Sequence, residues 1–224
     1  MKNFIVENIK KNRLLYLHKS IPFSIVNHFE QDIDLRHVIS TLELTFPLSF
    51  FSEVEGVYIG EFKELKDRNI DAMYEDGVIY LSNFKDTPVS ESLLVTNIVH
   101  ELAHSIEKKF SFELYSDGDL ESEYDSKKLR LYSLLRSHEY KIPKDIFFNE
   151  YLTDEFDDLL YRNIGYEKLF AFSNGLFLSP YSITTIREYF STGFEEYFLR
   201  DKKYLKQLCP VLFRKVSSIE KDLL

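Results

Sequence analysis

The chain has 224 residues, enough for one sizeable core, and its balance of 44% hydrophobic and 29% charged residues is that of a globular protein rather than a disordered one. A formal net charge of -9 argues against a general nucleic-acid binder, because phosphate neutralisation needs basic surface. A single cysteine, Cys209, excludes an intrachain disulfide, so the fold does not depend on an oxidising compartment, and the residue reads as a small buried hydrophobe before a helix break.

The first residues lack an apolar segment followed by a small-residue cleavage site, and no apolar run approaches membrane-spanning length. The expected location is cytoplasmic, with packaging in a particle or non-classical export as other routes. "DLRHVISTLELTF" (34–46) has apolar residues at helical spacing and stops at Pro47. "GVYIGEF" (56–62) reads as a strand. "AMYEDGVIYLSNF" (72–84) reads as a hairpin turned by Asp76-Gly77. Its second arm, "VIYLSN", is expected to be the sheet edge on which an extended peptide adds as a further strand.

Thr87 and Pro88 suit the start of the next helix. Leu94, Ile98, Leu102 and Ile106 then recur every fourth residue, with Leu93, Val99 and Phe110 widening the stripe. Residues 113–150 change character, with a dense acidic run and then basic residues, and read as an exposed loop or helical insertion. Asp117, Asp119 and Glu121 have the wrong spacing around Gly118 for a calcium loop, so a solvated face is expected. Residues 151–224 are helical in pattern, with Pro210 breaking the last stretch.

The chemistry concentrates in "HELAH", residues 100–104. Residues four apart on a helix share one face, so His100 and His104 can present two imidazole nitrogens to one ion. Glu101 then lies beside the ion without binding it, where its carboxylate can take a proton from water activated by zinc. A catalytic zinc site needs a third protein ligand. No third histidine follows at short spacing, and two glutamates are candidates. His18, His28 and His37 lie upstream without ligand spacing and read as structural; His138 is the remaining downstream histidine.

Glu150 in "NEYLTD" resembles the ligand stretch of thermolysin-like peptidases, although an insertion must separate it from His104. Glu188 in "SPYSITTIREYF" resembles the ligand of the anthrax lethal factor catalytic domain and the clostridial Pro-Pro endopeptidases. That family follows HExxH with a tyrosine and, seven residues later, a glutamate opening a Glu-aromatic-aromatic stretch; Tyr181 and Glu188-Tyr189-Phe190 reproduce this. The chain departs from it at Thr192, where the family has an acidic residue, and in its longer segment after His104. The resemblance favours Glu188 over Glu150 and implies that Tyr181 donates to the oxyanion. The bland reading of Glu188 is a capping box with Thr185.

The expectation is therefore a single α+β, zincin-like domain over residues 1–224, with a small twisted mixed sheet over the HExxH helix and a helical C-terminal half. The expected function is zinc-dependent endopeptidase activity on a protein or peptide bound in extended form, with no nucleic-acid or membrane partner. Two alternatives stand beside it: an intracellular regulator peptidase using Glu150, and a structural or particle-associated protein that keeps the fold without turnover. Oligomeric state and cleavage preference leave no trace in the sequence.

Overall fold

The computed structural model describes residues 14–26, 33–83, 89–149 and 151–224. Its contacts divide the chain into two compact units, Met1–Lys109 with Leu223–Leu224, and Phe110–Asp222. The architecture is mixed α and β.

The first unit, over its described residues, is built on a five-stranded mixed sheet. In chain order it contains β1 (Leu15–Leu17), β2 (Ile21–Ile25), α1 (Leu35–Thr45), β3 (Gly56–Gly60), α2 (Lys63–Arg68), β4 (Ala72–Glu75), β5 (Val78–Ser82) and α3 (Glu91–Lys109). The spatial strand order is β1-β2-β3-β5-β4. β2, β3 and β5 run parallel, and β1 and β4 pair antiparallel at the two edges. Every residue of β3 and β5 is buried, as the unbroken apolar character of "VIYL" requires for a central strand.

The β4–β5 turn is the expected one: Asp76 and Gly77 both take positive φ, 49° and 81°, which suits the twist of a two-residue hairpin. The edge expectation is corrected, however. Among the described residues, β5 is paired on both sides and β4 is the edge, because β3 inserts beside β5 in parallel register. A local pattern cannot reveal that pairing. α1 is capped by Asp34, whose carboxylate accepts from the Arg36 and His37 N–H groups. α3 packs on β4 and β5.

The second unit is helical: α4 (Ser111–Tyr115), α5 (Asp119–Ser137), α6 (Lys144–Phe147), α7 (Asp154–Asp158), a π-helical run Leu159–Gly165, α8 (Tyr166–Ser173), α9 (Ile186–Leu199), α10 (Lys202–Leu208) and α11 (Pro210–Leu223). The reading of residues 113–150 as an exposed loop or helical insertion is corrected in one respect: the stretch is helical over α5 and largely exposed, but it carries a buried stripe. α5 buries Leu120, Tyr124, Lys127, Lys128, Leu131 and Leu135. Its acidic and basic residues conceal a buried stripe, and two of the charges are interior.

Lys127 and the half-buried Glu123, one turn before it, have partners that explain their places. Pro210 breaks the chain between α10 and α11, which leaves unpaired carbonyls behind it and unpaired N–H groups ahead. Glu123 accepts from the Val211 and Leu212 N–H groups at 2.8 and 3.1 Å, and from the Tyr189 hydroxyl at 2.9 Å. Lys127 donates to the Leu208 and Leu176 carbonyls at 2.7 and 2.8 Å. A carboxylate thus meets a helix N-terminus and an ammonium a helix C-terminus, each the favoured sign. Cys209, fully buried between them, has its thiol pushed up by burial, with Lys127 and the Tyr189 hydroxyl pulling the other way. The acidic run is likewise paired, Asp117 with Lys215 at 2.8 Å and Asp119 with Arg214 at 3.5 Å.

Candidate metal centre

α3 begins at Glu91, with Ser90 as its cap: the Ser90 hydroxyl accepts from Leu93 N–H at 3.1 Å. This corrects the expected start at Thr87-Pro88, two residues that lie outside the described ones. Leu94, Ile98, Leu102 and Ile106 are all buried, so the predicted stripe is the one that faces the interior. The stripe fixes the helix rotation, and His100 and His104 then share a face, ring centroids 5.1 Å apart and planes at 78°.

Two carboxylates on α3 are buried as well, Glu101 at 7% exposure and Glu107 at 5%. A buried carboxylate needs a compensating donor. For Glu101 it is the edge strand: Tyr74 N–H of β4 donates to Glu101 Oε2 at 2.7 Å. Glu107 Oε2 lies 3.5 Å from His104 Nδ1, close enough for an ion pair when the ring is protonated.

Glu188 stands in the first turn of α9, where the helix dipole favours negative charge. Thr185 caps this helix, its hydroxyl accepting from Glu188 N–H at 3.2 Å. That is one half of the capping box anticipated as the bland reading. The Glu188 carboxylate instead accepts from the Ser191 hydroxyl, at 3.3 Å from Oε2. Tyr161, on the π-helical run, has its phenol pushed up to about 12 by burial, with the charges of Asp157 and Glu188 adding to it. Tyr181 opens a 3-10 turn and is 44% exposed, so it is not the packed core tyrosine that a Ser-Pro turn would also accommodate.

Among the described residues, one group of histidine, cysteine and carboxylate side chains has the arrangement to hold a metal ion. It is His100, His104 and Glu188, whose ligand atoms all lie within 4.8 Å of one another. Two imidazoles and one carboxylate form the donor set of an open zinc site.

Glu150 lies outside the described residues, and so does His28. Its neighbour Asn149 accepts from Tyr151 N–H, and Thr153 caps α7. The other histidines are occupied elsewhere. His18 Nε2 lies 2.9 Å from the Phe46 carbonyl, His37 Nε2 lies 3.9 Å from Glu91, and His138 packs on Phe172.

Sequence reasoning passed over three participants. Glu107 had a signal, an acid three residues after the second histidine. Ser191 had a weaker one, three residues after Glu188. The Tyr74 main chain had none, since any residue supplies an N–H.

No family model matches the chain, and neither a curated protein nor a solved structure matches it.

Proposed function

We propose that the chain is a zinc-dependent endopeptidase of zincin type, similar to the lethal factor and Pro-Pro endopeptidase group, acting on a polypeptide held in extended form. The observation that carries this reading is the convergence of His100, His104 and Glu188 within 4.8 Å, with the buried Glu101 next to the first ligand. A chance pair of helix histidines would have no reason to attract the one glutamate that the tyrosine spacing singles out.

His100, His104 and Glu188 would hold the ion. Zinc, when bound, supplies Lewis acidity toward a carbonyl oxygen and makes water acidic enough to lose a proton near neutral pH. Glu101 takes that proton and returns it to the leaving amine, the exchange a carboxylate performs without a change of position. The exposed Tyr181 phenol donates toward the oxygen that gains charge as the carbonyl is attacked. The extended substrate adds to β4, the sheet edge. The net charge of -9 supports a protein substrate over nucleic acid, and a fold with one buried cysteine supports work in the cytoplasm.

Elemental analysis of the purified protein beside its Glu188→Ala form tests the reading. One zinc per chain is expected in the wild type, and substoichiometric zinc after Glu188→Ala. A wild type without zinc sinks the proposal, and a Glu188→Ala form that retains full zinc transfers the third ligand to Glu150. Glu107→Ala should weaken zinc affinity about 10- to 100-fold, the usual loss when a carboxylate supporting a ligand histidine is removed. Competition with a chelator measures it, and an unchanged affinity would make Glu107 a folding residue only.

A further inference from the structure

The β4 edge has a property that the peptidase reading does not by itself require. In an antiparallel pair, alternate residues exchange hydrogen bonds with the partner and the residues between them point away. Ser82 N–H donates to Asp71 O at 2.7 Å, and Met73 and Glu75 stand opposite Tyr80 and Val78. Asp71, Met73 and Glu75 therefore face β5, while the main-chain groups of Ala72 and Tyr74 face outward. An incoming strand would use these outward groups. Yet the Tyr74 N–H is directed to Glu101 Oε2 at 2.7 Å.

Building on the peptidase reading, we propose that the Tyr74 main-chain N–H is a positioning group for Glu101 and not a substrate-binding group. A hydrogen bond from an N–H to a carboxylate is charge-assisted and strongly directional, so it ties one oxygen of Glu101 to β4. The Glu101 side chain has three rotatable bonds, and one such contact removes most of its freedom at a place where orientation governs proton transfer. The consequence for substrate class follows directly. Of the outward groups on β4, the Ala72 N–H, the Ala72 carbonyl and the Tyr74 carbonyl serve an extended peptide, and the Tyr74 N–H does not. The substrate is then held by a short ladder, and selectivity has to come from side-chain contacts rather than from a long run of main-chain pairing.

The position allows a test on a single atom. Proline at an edge strand, with its nitrogen facing away from the partner, removes no ladder bond. Tyr74→Pro deletes the donor, while Tyr74→Phe and Tyr74→Ala keep it and alter the side chain, whose hydroxyl donates to the Glu53 carbonyl. Zinc content should be unchanged in all three. Relative to Tyr74→Ala, kcat should fall about 10- to 100-fold in Tyr74→Pro with little change in KM, within the 10²–10⁴-fold that a general base contributes in full. Equal kcat in the proline and alanine forms would overturn the proposal.

A second measurement needs neither zinc nor turnover, and it decides the matter if Tyr74→Pro fails to fold or the chain proves inactive. In the metal-free wild type, hydrogen exchange at the Tyr74 amide should be at least about 10-fold slower than in Glu101→Ala, because an outward edge N–H without an acceptor is open to water. Equal exchange in the two proteins would overturn the positioning role even if zinc binding stood. A protected amide in a chain that binds no zinc would keep the contact and discard the peptidase.

Discussion

Replacing Glu101 with glutamine is expected to leave zinc bound at the wild-type level while lowering kcat for peptide cleavage by about 10²–10⁴-fold, the contribution of a positioned general base. Glutamine has the same length and shape, and its amide oxygen still accepts from Tyr74 N–H, which in the wild type meets Glu101 Oε2 at 2.7 Å. What it loses is the ability to take a proton. The side chain is only 7% exposed, so neutralising it removes a buried charge and should not destabilise the fold. Single-turnover cleavage of a labelled peptide, with zinc measured on the same sample, separates the outcomes. Undiminished cleavage would remove Glu101 from the reaction. Loss of both zinc and cleavage would show that the carboxylate organises the histidines rather than the proton.

The second large effect lies in the helical unit. Lys128 is 3% exposed on α5, with its ammonium 4.8 Å from the Phe156 ring centroid, 5.3 Å from Tyr124 and 5.9 Å from Phe147. Burial pushes it down to about 8 from 10.5, against a smaller upward pull from Asp125. That difference corresponds to about 3 kcal/mol between charged and neutral forms. The unfolded chain therefore binds a proton at Lys128 between pH 8 and 10.5 that the folded chain has released. Stability from this group rises with pH across that window and is flat below pH 8, where both states are protonated.

Lys128→Met keeps the apolar stem and removes the charge. It should stabilise the protein by about 1–3 kcal/mol at pH 7, the upper value reduced by the lost attraction of the ammonium to three rings. The advantage over wild type should shrink between pH 8 and 10. Above pH 10, Tyr124 and Tyr189, both pushed up by burial, lower the stability of the two proteins alike and drop out of the comparison. Denaturant unfolding of the two proteins at pH 7 and 9.5 measures the difference. A methionine form that is less stable at pH 7, or an advantage independent of pH, would contradict the account.

Lys128 also shows where sequence patterning ran out. In "ESEYDSKKLRLY" the two adjacent lysines look like part of a solvated face, yet Lys127 and Lys128 both lie inside. Lysine patterning predicts water because burial usually leaves the ammonium N–H donors without acceptors. Here a helix-end carbonyl, Leu208, and a turn carbonyl, Leu176, satisfy Lys127, and three rings surround Lys128. Those carbonyls lie far along the chain, and no local window contains them. The buried stripe of α5 escaped the reading of 113–150 for this reason.

The sequence by itself determined the elements whose signals are local. The four-residue apolar stripe on α3 placed His100 and His104 on one face, Asp76-Gly77 turned the hairpin, Thr185 started α9, and Pro210 separated α10 from α11. Each depends on backbone preferences and periodicities that act within a few residues. The tertiary structure alone decided that β4 rather than β5 is the edge among the described strands, that a main-chain N–H engages Glu101, and that the charged α5 carries a buried stripe. Strand order and burial arise from contacts between residues distant in the chain. Main-chain donors are identical at every position but proline, so composition cannot announce which of them will be used.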